Sequence, residues 1–287
     1  MIAPVPRRRL LSRLALLPLL LGACAVAPRP APGTSAAQRW DYGADASQFG
    51  ELTLPAGSGP AAVVVVVHGG FWRSAYGLEL GRPLAVDLAN GGFAVWNVEY
   101  RRVGGGGGFP ATFDDVAAAV DLLAGPVQDA AGGRLDLDRV VAVGHSAGGH
   151  LAAWLAARPG LPAGAPGADP VVALRGAVSQ AGVLDLVDAA ERRVGGTAVP
   201  DLLGGGPAEV PERYALASPL ARVPIGVPVV CVHGDADANV PLRQSERFTA
   251  ASGDELVTLP GVEHFAVIDP TTDAWRACRD AAARLLD

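Results

Sequence analysis

Residues 144–148, Gly-His-Ser-Ala-Gly, pack small side chains around one hydroxyl, that of Ser146. A serine is a weak nucleophile unless a base takes its proton and a third group orients that base. The chain has five histidines, so the choice of base is close to an elimination. His68 opens a loop after a run of valines, and His145 precedes the serine and should point elsewhere in its turn. His150 lies one helical turn beyond, packed or partly exposed, and His233 ends a strand ahead of an acidic turn. Only His264 stands alone on the loop after the last predicted strand, which makes it the expected base. The strand over residues 228–232 delivers two carboxylates, Asp235 and Asp237. Asp185, after the preceding strand, is a weaker alternative, and Glu263 beside His264 reads as a solvated loop charge.

Acyl transfer through a serine also needs donors aimed at the oxygen on which charge develops, each contributing roughly 3 kcal/mol. The amide of Ala147, just after the serine, is one candidate. The loop His68-Gly69-Gly70-Phe71-Trp72 supplies the others, the amides of Gly70 and Phe71, because its glycines let backbone approach a substrate closely.

These groups need a scaffold that brings distant loops to one edge. Residues 140–143 are an apolar run with strand character, and after Ser146 the residues Leu151, Trp154 and Leu155 recur at helical spacing until Pro159-Gly160. Strand, G-x-S-x-G and helix in that order form a sharp turn that lifts the serine off the sheet. Further strands are expected at 51–54, 61–67, 93–98, 174–178, 228–232 and 255–259, and helices at 78–89, 112–123, 241–251 and 273–286. The alternation implies a mainly parallel sheet with helices on both faces, in one domain over residues 40–287. Residues 180–219 read as an irregular stretch with a Gly-rich middle; by the resemblance described below it stands in the place of a short cap insertion, where Leu184, Leu186, Val187, Leu202 and Leu203 either form one wall of an acyl pocket or simply pack. The five glycines at 104–108 lack a following Lys-Ser/Thr, which assigns them to loop mobility rather than phosphate binding.

His68-Gly69-Gly70-Phe71-Trp72, Glu99-Tyr100-Arg101, residues 144–151 (GHSAGGHL), residues 233–241 (HGDADANVP) and His264-Phe265 together resemble the α/β-hydrolase superfamily. The chain is similar to small carboxylesterases near the hormone-sensitive-lipase and arylformamidase branches. The resemblance covers residues 40–287 and implies an α/β-hydrolase fold with nucleophile, acid and base in the chain order Ser146, Asp237, His264. It assigns the acid to Asp237 and leaves Asp235 to hydrogen-bond the turn. The H-G-G-x-W loop and the elbow resemble those of kynurenine formamidases, so an arylformamidase, amidase or peptidase on the same triad is the alternative, and a non-catalytic binding scaffold a third. The export signal described below favours an esterase acting on small acyl esters through an acyl-enzyme, with no metal or organic cofactor.

Composition bounds the rest. The net charge is −6, from 29 acidic and 23 basic residues, every basic one an arginine. No basic stripe interleaved with aromatics appears, which argues against a nucleic-acid partner. Arg7, Arg8, Arg9 and Arg13, an apolar run over 14–21 and Leu21-Gly22-Ala23 before Cys24 have a signal-peptide layout over residues 1–24. L-G-A-C resembles a lipobox, which makes Cys24 the expected lipidation site and membrane anchor of an exported protein, with residues 25–39 as a Pro/Ala-rich tether. Cys231 and Cys278 are expected to be buried, unpaired thiols.

Overall fold

The computed structural model describes residues 28–287. The expected signal segment and Cys24 lie outside the described residues. From the N-terminal side the elements are β1 (Gln38–Asp41), β2 (Phe49–Thr53), β3 (Ala61–Val67), α1 (Arg82–Asn90), β4 (Ala94–Val98), α2 (Ala111–Asp121), α3 (Pro126–Ala130), β5 (Leu135–His145) and α4 (Ala147–Ala156). There follow β6 (Gly176–Gln180), α5 (Leu186–Glu191), α6 (Ala198–Leu203), α7 (Pro211–Ala217), β7 (Val229–Gly234), α8 (Arg243–Ser252), β8 (Leu256–Leu259) and α9 (Asp273–Leu286).

The strands form one eight-stranded sheet in the order β1-β2-β4-β3-β5-β6-β7-β8. The pairs β1/β2 and β2/β4 are antiparallel and the rest are parallel. The valines of β3 explain why the sheet is sandwiched. Alternate side chains leave opposite faces, so Val63, Val65 and Val67 enter one core while Val64 and Val66 enter the other. Burying each contributes roughly 1.5–3 kcal/mol relative to exposure. The first core takes Trp72, Phe113, Leu151, Trp154 and the leucines of α5 and α6. The second takes Leu84 and Leu88 of α1 with Trp275, Cys278 and Ala281 of α9.

Several expectations change in detail. β1 starts at Gln38, inside the expected tether, and the segment before it is fastened to the domain: Ala31 N–H donates to Asn90 Oδ1 at 2.7 Å and Ser35 N–H to the Leu54 carbonyl at 3.0 Å. β5 has 11 residues instead of four, because Ala61 and Ala62 pair with Leu135 and Asp136 before a register shift realigns Val63 with Val140. The glycine run forms a closed turn. Its Gly105 and Gly107 amides donate to the Arg102 carbonyl at 2.8 and 2.9 Å, and Gly107 lies against the Arg101 backbone with no space for a side chain. The cap region is ordered as three short helices, α5 to α7. Cys231 and Cys278 are free and buried, and burial pushes the Cys278 thiol up to about 12.

Candidate active site

The carboxyl ends of the parallel strands meet at one edge, where Val67 is level with Gly144, His145 with Gln180, and Gly234 with Leu259. The residues that follow these ends are the candidates named from sequence.

Ser146 sits between β5 and α4 with φ 55° and ψ −117°, a strained conformation for a non-glycine residue. Its N–H donates to the Gln180 carbonyl at 2.8 Å and its carbonyl accepts from His150 N–H at 3.1 Å, which hold the turn from both sides. Positions 144 and 148, two residues to either side, must be glycine. A Cβ on Gly144 would strike the Gly148 carbonyl, and one on Gly148 would strike the Val67 carbonyl. Ser146 is 2 % exposed and lines a cavity of about 130 Å³ that His264 also lines. No Ser146–His264 hydrogen bond is formed among the described residues; such bonds are often long in unliganded sites and tighten when substrate binds.

His264 follows β8, and its Nδ1–H donates to Asp237 Oδ2 at 2.6 Å. That bond leaves Nε2 as the ring nitrogen available to a nucleophile. Asp237 is fixed in turn, since the Asn239 and Val240 amides both donate to its Oδ1 at 2.8 Å. His233 Nε2 lies 3.3 Å from Oδ2 while donating to the Val240 carbonyl at 2.9 Å. Burial pushes the Asp237 carboxyl up, but hydrogen bonds from His233, His264 and the Val240 amide outweigh it and hold the group well below the usual carboxylate range. The other acids lie elsewhere. Asp235 accepts from Gly261 N–H at 2.6 Å, Glu263 from Phe265 N–H at 2.9 Å, and Asp185 caps α5 and pairs with Arg247 at 2.6 Å.

On the opposite wall, Gly70, Phe71 and Trp72 all have positive φ, at 112°, 51° and 54°. Among the described residues, the amides of Gly70, Phe71 and Ala147 donate to no other backbone group. The loop is braced from below by a buried cluster. Glu99 takes His68 Nε2 at 3.0 Å, the Leu78 and Tyr100 amides at 2.9 Å, and a close contact from Arg102; Tyr100 O–H donates to the His68 carbonyl at 2.8 Å. Burial pushes Glu99 up, but the hydrogen bond and charge of His68, then Arg102 and the Leu78 amide, bring its carboxyl down to about 2. A second brace joins loop, elbow and cap: Trp72 Nε1–H donates to His150 Nδ1 at 3.2 Å and His150 Nε2–H to the Ala217 carbonyl at 2.9 Å. His150 is thus a packed residue, and burial lowers it to about 4.

Two features are decided by the structure. Of the two readings of the 180–219 leucines, ordinary packing holds and the acyl wall does not: Leu184, Leu186, Leu202 and Leu203 are fully buried in the core and Val187 faces outward. The cavity is instead walled by Phe71, Tyr76, Leu80, Phe265 and Ile268. His145 does not turn away from the site. Its Nε2–H donates to the His264 carbonyl at 2.9 Å and its ring lies 4.4 Å from that of His264. Burial, then the neighbouring His264, pushes His145 down to about 3, so the ring stays neutral.

Comparison with known proteins agrees with this architecture. Residues 51–251 match the family model BD-FAE, and no curated protein sequence matches the chain. A bifunctional GH43-CE protein of Bacteroides eggerthii is 24% identical with a TM-score of 0.73, over 87% of this chain and 38% of that one. This chain therefore spans well under half of that protein. A truncated carbohydrate esterase from gut microbiota is 23% identical with a TM-score of 0.72, covering 89% of this chain and 98% of that chain. The propionate-bound esterase Est2 of the Planctomycetes species Thermogutta terrifontis is 25% identical with a TM-score of 0.68, over 89% and 94%.

Proposed function

The chain belongs to the BD-FAE family, an α/β-hydrolase esterase family, and from that premise we propose that it is a serine carboxylesterase cleaving small acyl esters. The observation that carries the reading is the 2.6 Å bond from His264 to Asp237 at the edge of a cavity that Ser146 also lines. In this reading Ser146 Oγ attacks the ester carbonyl and His264 Nε2 takes its proton. The amides of Gly70, Phe71 and Ala147 hold the oxyanion, and the alcohol leaves with the proton from His264. Water, activated by the same nitrogen, then releases the acid. The small cavity with its Leu80 and Ile268 walls favours short acyl groups over long chains.

Labelling with a fluorophosphonate probe tests the nucleophile. The intact protein should react and Ser146→Ala should not; labelling that survives the substitution sinks the assignment. Parallel turnover of p-nitrophenyl acetate and N-formylkynurenine separates the esterase from an arylformamidase on the same triad, and a protein inert to probe and substrates alike would be a binding scaffold. Export and anchoring through Cys24 complete the proposal on sequence grounds: Cys24→Ala should move the protein from membrane to soluble fractions.

A further inference from the structure

Phe71 lines the cavity that holds Ser146 and His264. One edge of its ring rests on Gly195, in the turn between α5 and α6. The approach is so close that a Cβ at residue 195 would overlap the ring at Cδ1, Cε1 and Cζ. The turn is also fastened to the loop that carries Phe71. Arg73 donates from its guanidinium to the Gly195 carbonyl at 3.3 Å and lies 3.7 Å from Asp201 Oδ2. Thr197 Oγ1–H donates to that same carboxylate oxygen at 2.7 Å. Within the turn, the Val194 and Gly196 amides donate to the Ala189 and Arg193 carbonyls at 2.9 and 2.8 Å. The cap turn is thus held behind Phe71, and the lack of a side chain at residue 195 fixes where the ring stands.

Its place in the site decides which arm of a substrate that ring meets. The leaving alcohol takes its proton from His264 and so departs on that residue's side. There His264, Phe265 and His145 form one group, with ring centroids between 4.4 and 6.0 Å apart. Phe71 stands on the opposite wall and is backed by the cap turn, so it faces the arm that stays on the serine. Resting on the esterase reading above, we propose that Gly195 is a specificity-determining residue. Through Phe71 it sets the length of acyl chain that the cavity accepts. A side chain at residue 195 has no slack to occupy, because close-packed neighbours yield only by moving. It drives the ring into a space of only about 130 Å³.

The test measures kcat/KM for ethyl acetate, ethyl propionate and ethyl butyrate, which differ only in the acyl chain, and for butyl acetate, which differs from the first only in the alcohol. In Gly195→Ala the ratio of butyrate to acetate should fall about tenfold, with propionate between. Gly196→Ala carries the same left-handed strain, but its Cβ meets open space, so its ratios should match the parent's. Phe71→Ala should raise the butyrate ratio about three- to tenfold. Adding Gly195→Ala to Phe71→Ala should leave that raised ratio in place, because the ring atoms it would strike are gone. Equal losses on all three ethyl esters in Gly195→Ala overturn the proposal and leave the esterase intact. So does a butyrate ratio that Gly195→Ala still lowers in the Phe71→Ala background. A larger change for butyl acetate than for the acyl series places Phe71 on the leaving side and overturns it as well. A parent protein that hydrolyses none of the four esters removes the esterase reading itself.

Discussion

The side chain of His145 holds the backbone of His264: its Nε2–H meets the His264 carbonyl at 2.9 Å. The neighbouring strand repeats the device, since Gln180, level with His145 in the sheet, donates from Nε2 to the Val267 carbonyl at 2.5 Å. The loop carrying His264 is therefore pinned to the ends of β5 and β6, beside the turn that carries Ser146. Misplacing a catalytic group by about an ångström costs up to about 100-fold. His145→Ala should accordingly lower kcat about ten- to 100-fold with KM little changed, and His145→Gln, which keeps a donor, should recover part of it. Steady-state kinetics showing a pure KM effect would refute this positioning role.

The two carboxylates of the β7 turn should separate cleanly. Asp237→Asn should lower kcat about 10³- to 10⁴-fold, because the amide no longer favours the imidazole tautomer and charge that the reaction needs. Asp235→Asn should stay within a few-fold of the parent, since Asp235 contacts Gly261 rather than His264. Asp185→Asn should cost stability instead, through its α5 cap and the Arg247 pair. The reverse ranking of Asp235 and Asp237 in turnover assays would reassign the acid.

Two glycine substitutions distinguish crowding from backbone strain. Gly148→Ala places a methyl group against the Val67 and His68 carbonyls and should destabilise by about 3 kcal/mol or more. Gly196→Ala meets open space but keeps a φ of 77°, so only the left-handed penalty of about 1 kcal/mol applies. Denaturant unfolding of both variants gives the comparison; equal losses would mean that the elbow is not sterically filled.

Stability should fall in acid in two overlapping stages. His145 drops from 6.5 to about 3 on folding and Glu99 from 4.5 to about 2. For each, the unfolded chain binds the proton more readily, so the contribution is complete above the unfolded value and is lost as pH falls toward the folded one. Unfolding midpoints should decline from about pH 6.5 downward. His145→Gln should flatten the upper part of that decline and Glu99→Gln the part between 4.5 and about 2. An unchanged profile in Glu99→Gln would contradict the assignment of that cluster.

What the chain reveals before folding follows from how local each signal is. The valines of β3, the glycines around Ser146 and the aspartates after β7 announce themselves because backbone geometry restricts the residues each place accepts. His264 could be picked out as the candidate base by elimination among few histidines. The acyl wall could not, because Leu202 in a core and Leu80 on a cavity obey the same hydropathy, and only packing tells them apart. His145 was misjudged for a related reason: its partner is a main-chain oxygen 119 positions away, and no side-chain pattern marks such a contact. β1, largely exposed, and the half-exposed first part of β5 are strands whose pairing, not their composition, creates them.

Because the pins on the segment after β8 grip carbonyl oxygens and not side chains, they do not depend on which side chain stands at residue 265. An amino-acid exchange there leaves both main-chain grips in place. Libraries built at residue 265 should accordingly retain a high fraction of folded members in which His264 still bonds Asp237.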